Sequence, residues 1–275
     1  WTYIFKLNDA EKIAYFTDTA RAIAAHFWPG PLTLVLPIKP DAGLSPLVTA
    51  GLDTAAIRIP AHPIMQHILQ AFDGPLAAPS ANKSGTLSPT TPIHVQDSFG
   101  TDAPYIIPGG VSSWGIESTI LDLSQHPAII LRPGPIGPED FAAFLNPCPA
   151  LHVPDINDQT APRSPGLLLR HYAPRHPLRL QAIDIRPGEA LLAFGQTRFM
   201  GIKGGGNINT LPSNHIWNLS PDGDLEEAAK NLYRAMHDLD EQQVHTIAVM
   251  NIPSTGIGIA INERLAKAAK SSRDD

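Results

Sequence analysis

A single cysteine, Cys148, among 275 residues rules out an internal disulfide, so a reducing, cytoplasmic compartment is the expectation. Charge is sparse as well, at 17% of residues, yet no apolar run approaches the roughly 20 residues that cross a bilayer. No membrane partner is expected. Basic residues are outnumbered 26 to 20, a formal net charge of -6, which argues against the clustered cations of a broad nucleic-acid surface. Direct RNA binding is therefore not expected. The deficit is sharper over residues 1–145, where seven Lys and Arg face twelve Asp and Glu. Any phosphate bound there must be met by a few well-placed donors and a metal ion. No internal repeat is present. What the chain does have is length and apolar content, 43%, enough for two domains with separate cores, and 28 prolines that punctuate it.

The pattern alternates strands with helices. Thr2–Leu7 reads as a strand, followed by a helix capped by Asp9. A second helix, about Asp18–Phe27, must stop at Trp28–Pro29–Gly30–Pro31. Strand-like runs follow at Leu32–Leu36, Ala55–Ile59, Pro75–Pro79, Tyr105–Ile107, Ser118–Asp122 and Ala128–Leu131, with helical spacing over Pro63–Phe72 and a short helix from Pro138. From Asn146 to about Pro177 the composition turns to Pro, Asp, His and Arg. Beyond it a second α/β unit opens, with strands near Leu178–Ala182, Ala190–Phe194 and Thr246–Val249. A long helix over about Leu225–Leu239 and a final one after Gly256–Ile–Gly258 complete it. The boundaries drawn are 1–145, a linker over 146–177, and 178–275. The fold class is α/β: a twisted mixed-sheet domain, incomplete at its N-terminus, followed by a smaller Rossmann-like domain.

Between residues 54 and 134, short polar or Gly/Pro marks stand directly after apolar runs, which is where sheet-borne loops hold ligands. Ser80 and Asn82 follow Pro79, which keeps the chain extended; they serve either a shared ligand or an Asx turn. Arg58 lies inside a strand-like run, and a cation there needs a carboxylate from protein or ligand. Arg132 ends a strand before Pro133–Gly134 and is either an anion anchor or an ordinary surface Arg. Glu117–Ser118–Thr119 is a helix cap or a strand entry. His62, His67 and His94 have no companion cysteines and read as helix-surface residues rather than metal ligands. Gly256–Ile–Gly258 lacks the third glycine of a dinucleotide fingerprint, and Gly204–Gly206 reads as a flexible loop.

The order of the motifs is more specific than any one of them. Trp28–Pro–Gly–Pro–Leu–Thr33, Ala56–Ile–Arg58–Ile–Pro60, Ala78–Pro–Ser80–Ala–Asn82–Lys–Ser–Gly85, Ser88–Pro–Thr90, Gly115–Ile–Glu–Ser118–Thr119, Leu131–Arg132–Pro–Gly134 and Arg170–His171–Tyr–Ala–Pro174 follow one another along the chain. This series resembles the YrdC-type threonylcarbamoyl-AMP synthases in their long, two-domain form. The resemblance implies synthesis of threonylcarbamoyl-adenylate from L-threonine, bicarbonate and ATP, with release of pyrophosphate. The product would pass to the machinery that threonylcarbamoylates adenosine in tRNA. It implies threonine contacts from Arg58, Ala78 and Ser118, and nucleotide contacts from Thr54, Ser80, Asn82, Ser88, Arg132 and His171. Magnesium is implied with ATP, held by no protein side chain. The family's opening strand and its Lys–x–Arg segment have no counterpart here, so the chain reads as a piece that starts late, and whether it turns over alone is left open. Two other classes stay open: a nucleotide- or RNA-binding module without this chemistry, and a carbamoyl transferase of metalloenzyme maturation.

Overall fold

The computed structural model describes residues 2–152, 172–197, 201–202 and 211–271. His171, Gly166–Arg170, Gly204–Gly206 and the final four residues lie outside them. Two compact units emerge, and neither is continuous in sequence: Trp1–Pro79 joins Glu117–Leu167, and Ser80–Ile116 joins Leu168–Asp275. Residues 80–116, read from sequence with the first domain, cluster with the C-terminal residues.

The first unit comprises β1 (Thr2–Tyr3), α1 (Leu7–Ile13), α2 (Asp18–Phe27), β2 (Leu32–Pro37), α3 (Pro46–Thr49), β3 (Thr54–Arg58), α4 (Pro63–Phe72) and β4 (Leu76–Ala77). After the excursion through 80–116 it resumes with β5 (Thr119–Asp122), β6 (Ile129–Arg132) and β7 (Ala150–Leu151). β1 is shorter than expected because the chain turns helical by Leu7. α1 starts behind Lys6, not behind Asp9, and has no side-chain cap. Asp9 sits in the first turn instead, where a carboxylate favours the helix dipole, and pairs with Lys12 at 2.8 Å. α2 is capped by Thr17, whose hydroxyl accepts from the Ala20 amide at 3.1 Å.

The seven strands form one mixed sheet in the order β4-β1-β3-β2-β5-β6-β7. Alternation then sorts its residues. Leu32, Leu34, Leu36, Ala55, Ile57 and Leu121 join Ala20, Ile23 and Ala24 in the main core of this unit. Thr33, Val35, Ala56, Arg58 and Ile120 occupy the opposite face, where Val35, Ile120 and Leu131 make a small apolar cluster. The polar candidates on β2 and β3 are thus on the side away from α1 and α2.

The second unit contains α5 (Pro92–Phe99), β8 (Leu178–Arg179), β9 (Asp184–Ile185), β10 (Glu189–Ala193), β11 (Gly201–Ile202), β12 (Ile216–Asn218), α6 (Leu225–Asp240), β13 (Thr246–Val249) and α7 (Gly258–Ser271). Its principal sheet, β12-β10-β13-β8, is parallel throughout. All five residues of β10 are buried, as a strand covered on both faces requires. Asp224 caps α6, accepting from the Glu226 and Glu227 amides at 2.7 and 3.1 Å. At the other end Asp240 accepts from the backbone amides and side chains of Arg175 and His176 at 2.9–3.1 Å. These bonds hold the Asp240 pKa below the usual carboxylate value, against a burial that would raise it. Leu87, Ile116 and Tyr172 share a core with α6 and α7.

Tyr105–Ile107 is not a strand; Tyr105 is 92% exposed. Among the described residues no helix is long and apolar enough to cross a membrane.

Candidate functional site

The geometry of the first unit starts from strand register. Leu34 faces Ile57 across β2 and β3, Thr33 faces Ile120 across β2 and β5, and Ile120 faces Arg132 across β5 and β6. Four neighbouring strands therefore bring Arg58, Thr33, Ser118 and Arg132 to one end of the sheet. Arg132, 3% exposed, donates from Nε and Nη2 to the Ser118 carbonyl at 3.2 and 2.9 Å, and from Nη2 to Ser118 Oγ at 3.2 Å. Ser118 Oγ also lies 2.8 Å from Thr33 Oγ1. Gly134 makes this close approach possible: a Cβ there would stand 2.3 Å from the Thr119 amide nitrogen and 2.7 Å from the Ser118 carbonyl carbon. Glu117–Thr119 and Leu131–Gly134 are thus one structure. The Thr119 hydroxyl clamps Ile136 at both its amide and its carbonyl.

Arg58 is held differently. Its Nε donates to the Gly30 carbonyl at 2.9 Å, and its guanidinium lies 5.8 Å from the Tyr3 ring centre. The Trp28–Pro31 run presents that carbonyl, with Trp28 Nε1 bonded to the Leu32 carbonyl at 2.8 Å. Among the described residues no carboxylate pairs with Arg58. Burial lowers its pKa, and the positive charge of Arg132 lowers it further while Tyr3 acts the other way. Two guanidinium groups near enough to repel, one without an anionic partner among the described residues, make a site that gains from an anion. Thr54 is not part of this gathering. It pairs with Pro37 at the far end of β3, about 13 Å from Arg58 by strand rise. Ala78 is half-buried just past β4.

Ser80, Asn82 and Ser88 belong to the second unit. Asn82 is buried, and its Nδ2 donates to the Lys83 and Thr86 carbonyls, both at 3.1 Å, folding the loop on itself. Its Oδ1 is buried without a donor among the described groups. Lys83 N donates to Ser98 Oγ of α5 at 3.0 Å, and Ala173 N donates to the Gly85 carbonyl at 3.0 Å. Tyr172–Pro174, the described part of the Arg170–Pro174 motif, is therefore tied to the Asn82 loop. Tyr172 is 1% exposed at φ 66°, packed 5.7 Å from the Tyr233 ring and 5.4 Å from the Arg264 guanidinium. Ser88 and Thr90 are buried, whereas Ser80 is exposed.

Sequence reasoning missed several of these parts. Thr33 stands in the sequence only as part of the Leu32–Leu36 run and the Trp28–Thr33 motif, with no site role. Of the three histidines, His62 and His67 are exposed, and His94 is half-buried on α5. Its ring stacks on His237 at 3.9 Å, which burial and sequence distance had hidden. A cavity of about 590 Å³ opens in the second unit between β8, the end of β13 and α7. None of the expected site residues lines it. Among the described residues no group of three or more His, Cys, Asp or Glu is gathered as a metal site.

Against this geometry the likeness to known proteins is direct. Residues 2–134 match a family model described as telomere recombination, which groups the Sua5, YciO and YrdC proteins. Residues 136–270 match one described as the C-terminal domain of threonylcarbamoyl-AMP synthase. The threonylcarbamoyl-AMP synthase of Bacillus subtilis is 39% identical over 260 residues, covering 92% of this chain and 73% of that protein. The synthase of Pyrococcus abyssi is 34% identical over 262 residues, covering 92% and 74%. The crystal structure of P. abyssi Sua5 complexed with L-threonine superposes with a TM-score of 0.83 at 29% identity, covering 98% of this chain and 80% of that one. Fold and motifs together define a two-domain α/β protein of the YrdC type. The chain belongs to the threonylcarbamoyl-AMP synthase family.

Proposed function

We propose that this protein joins L-threonine, bicarbonate and ATP into threonylcarbamoyl-AMP, releasing pyrophosphate, in the cytoplasm and for the machinery that modifies adenosine in tRNA. The observation that carries the reading is Arg58: a half-buried guanidinium fixed through Nε, paired with no carboxylate among the described residues, and beside a second guanidinium. The amino-acid carboxylate is its partner in this reading. A fork-to-carboxylate pair supplies both energy and orientation. Ser118, pinned by Arg132 and Thr33, and Ala78 line the same amino-acid pocket.

Ser80, Asn82, Ser88, Arg132 and His171 are assigned to the nucleotide. The buried Asn82 Oδ1 supports this for its loop, because an acceptor in that position gains from a ligand hydroxyl or amine. Thr54 and His171 rest on the family resemblance alone. In the reaction the threonine amine condenses with bicarbonate, and water leaves, to give a carbamate. A carbamate oxygen then attacks the α-phosphorus as pyrophosphate leaves, so no protein nucleophile is needed. Positioning and charge stabilisation do most of such chemistry. Arg58 orients the amino acid, and Arg132 adds positive charge beside it. Where magnesium accompanies ATP, it would offset phosphate charge in a half poor in cations, and no side chain of this chain is assigned to hold it.

A nucleotide- or RNA-binding module without this activity is not favoured: the long relatives are named as synthases over 92% of this chain. The test is ATP–pyrophosphate exchange by the full-length protein, expected only when threonine and bicarbonate are both present. Exchange that proceeds without threonine would remove the proposal.

A further inference from the structure

Two histidines outside the reaction chemistry converge on one loop. Ser88–Pro89–Thr90 follows the buried Leu87, which packs in the core shared with Leu232 and Met236 of α6. From α6, His237 Nε2 lies 3.2 Å from the Ser88 carbonyl, which can only accept, so Nε2 carries the proton. From α5, His94 Nδ1 accepts the Thr90 amide at 3.3 Å, so the proton of neutral His94 is on Nε2. The rings stack at 3.9 Å with 26° between their planes. The Thr90 carbonyl in turn accepts from the Ser112 amide at 3.0 Å.

We propose that His237 and His94 are positioning residues for the nucleotide loop: the stacked imidazoles fix the Ser88 carbonyl and the Thr90 amide, and so set the direction in which Ser88 faces its ligand. The inference rests on the reading of Ser88 as a nucleotide contact. Its content is that α6, which lies in the C-terminal family segment, shapes a binding loop contributed by the N-terminal one. Three properties of this pair exceed what packing needs. One ring must donate on its edge, the other must accept, and both must present flat faces. An apolar pair would fill the volume but hold neither backbone group. Both rings are also kept neutral, since burial lowers the pKa of each, so the acceptor on His94 persists at physiological pH.

The experiment compares His237→Phe, which keeps a stacking ring but no donor, with His237→Gln, which keeps an amide donor, and His94→Phe, which removes the acceptor. Ser88→Ala serves as the reference. Dissociation constants are measured by calorimetry for a non-hydrolysable ATP analogue and for threonine on full-length protein, with folding checked by thermal melting. Both Phe variants are expected to weaken the ATP analogue about fivefold, the effect of one net hydrogen bond, with threonine affinity unchanged within twofold. His237→Gln should recover most of the loss. ATP-analogue binding unchanged in both folded Phe variants, or weakened equally with threonine binding, overturns the proposal. If His237→Phe fails to fold, His94→Phe and His237→Gln give the same reading. Unchanged ATP binding in Ser88→Ala would overturn the nucleotide assignment of Ser88 itself. A loss in Ser88→Ala without one in the histidine variants overturns the positioning role alone.

Discussion

Replacing Arg58 by alanine should uncouple the two substrates. In the folded protein the Arg58 side chain donates to the Gly30 carbonyl and, among the described residues, pairs with no carboxylate. Losing that bond costs about 1 kcal/mol. Relief of the repulsion with Arg132 offsets part of it, so the melting temperature should fall by only a few degrees. Threonine binding is another matter. Truncating one member of a desolvated, hydrogen-bonded charge pair costs about 3 kcal/mol, or on the order of a hundredfold in affinity. Arg58→Lys keeps the charge but loses the fork, and an intermediate loss of roughly tenfold is expected. Calorimetric titration of threonine and of an ATP analogue into each variant reads the difference. An Arg58→Ala protein that loses both affinities equally, or loses less than fivefold for threonine, would show that the guanidinium holds something other than the amino-acid carboxylate.

Further tests bear on the surrounding structure. Asn82→Ala should weaken the ATP analogue about tenfold, and Asn82→Asp should weaken it more, because the carboxylate loses the donor that holds the Lys83 and Thr86 carbonyls and repels phosphate. Isothermal titration that ranks Asp above Ala would contradict the assignment. Gly115 has φ 69°, and a Cβ there would stand 2.4 Å from the Ala229 carbonyl oxygen and from two backbone atoms of Lys230. Gly115→Ala should therefore destabilise the second unit by at least about 3 kcal/mol in urea unfolding. The His94 pKa falls to about 4, below its ordinary 6.5, through burial and the neighbouring His237, with Asp238 and Asp97 opposing and Arg234 reinforcing. A depressed folded value means the unfolded chain binds the extra proton first. Stability should thus be full above about pH 6.5, decline toward pH 4 and level off below it, as far as this group governs. His94→Phe should flatten that stretch of the denaturant-midpoint profile, while the Asp240 contribution still fades at lower pH.

Elements with a strong local pattern were readable from residues alone. α4 announces itself by apolar spacing, α2 by its Pro–Gly stop, and β2 and β3 by β-type runs. The grouping of Arg58, Ser118 and Arg132 followed from motif order, and the register of four strands gives it a physical basis. Failures arose where tertiary context decides. α5 has a Thr91 cap and a Pro at its first turn, yet none of its residues is fully buried, so no apolar stripe marks it. Tyr105–Ile107 has strand-forming residues but no partner strand among the described residues. His94 and His237 are 143 positions apart, and no periodicity within either helix foretells that their rings meet. Thr33 and Ser118 are invisible as a pair for the same reason: their contact exists only once β2 and β5 align in parallel.

The threading of residues 80–116 into the C-terminal unit has a practical corollary for anyone dissecting the protein. Scission near residue 135 or 145, where the two family descriptions meet or the composition changes, would strand Leu87 and Ile116 away from the apolar interior they help fill. The C-terminal half expressed by itself should expose a greasy scar on α6 and aggregate. Co-expression of the severed halves, rather than either half alone, is the way to recover soluble material.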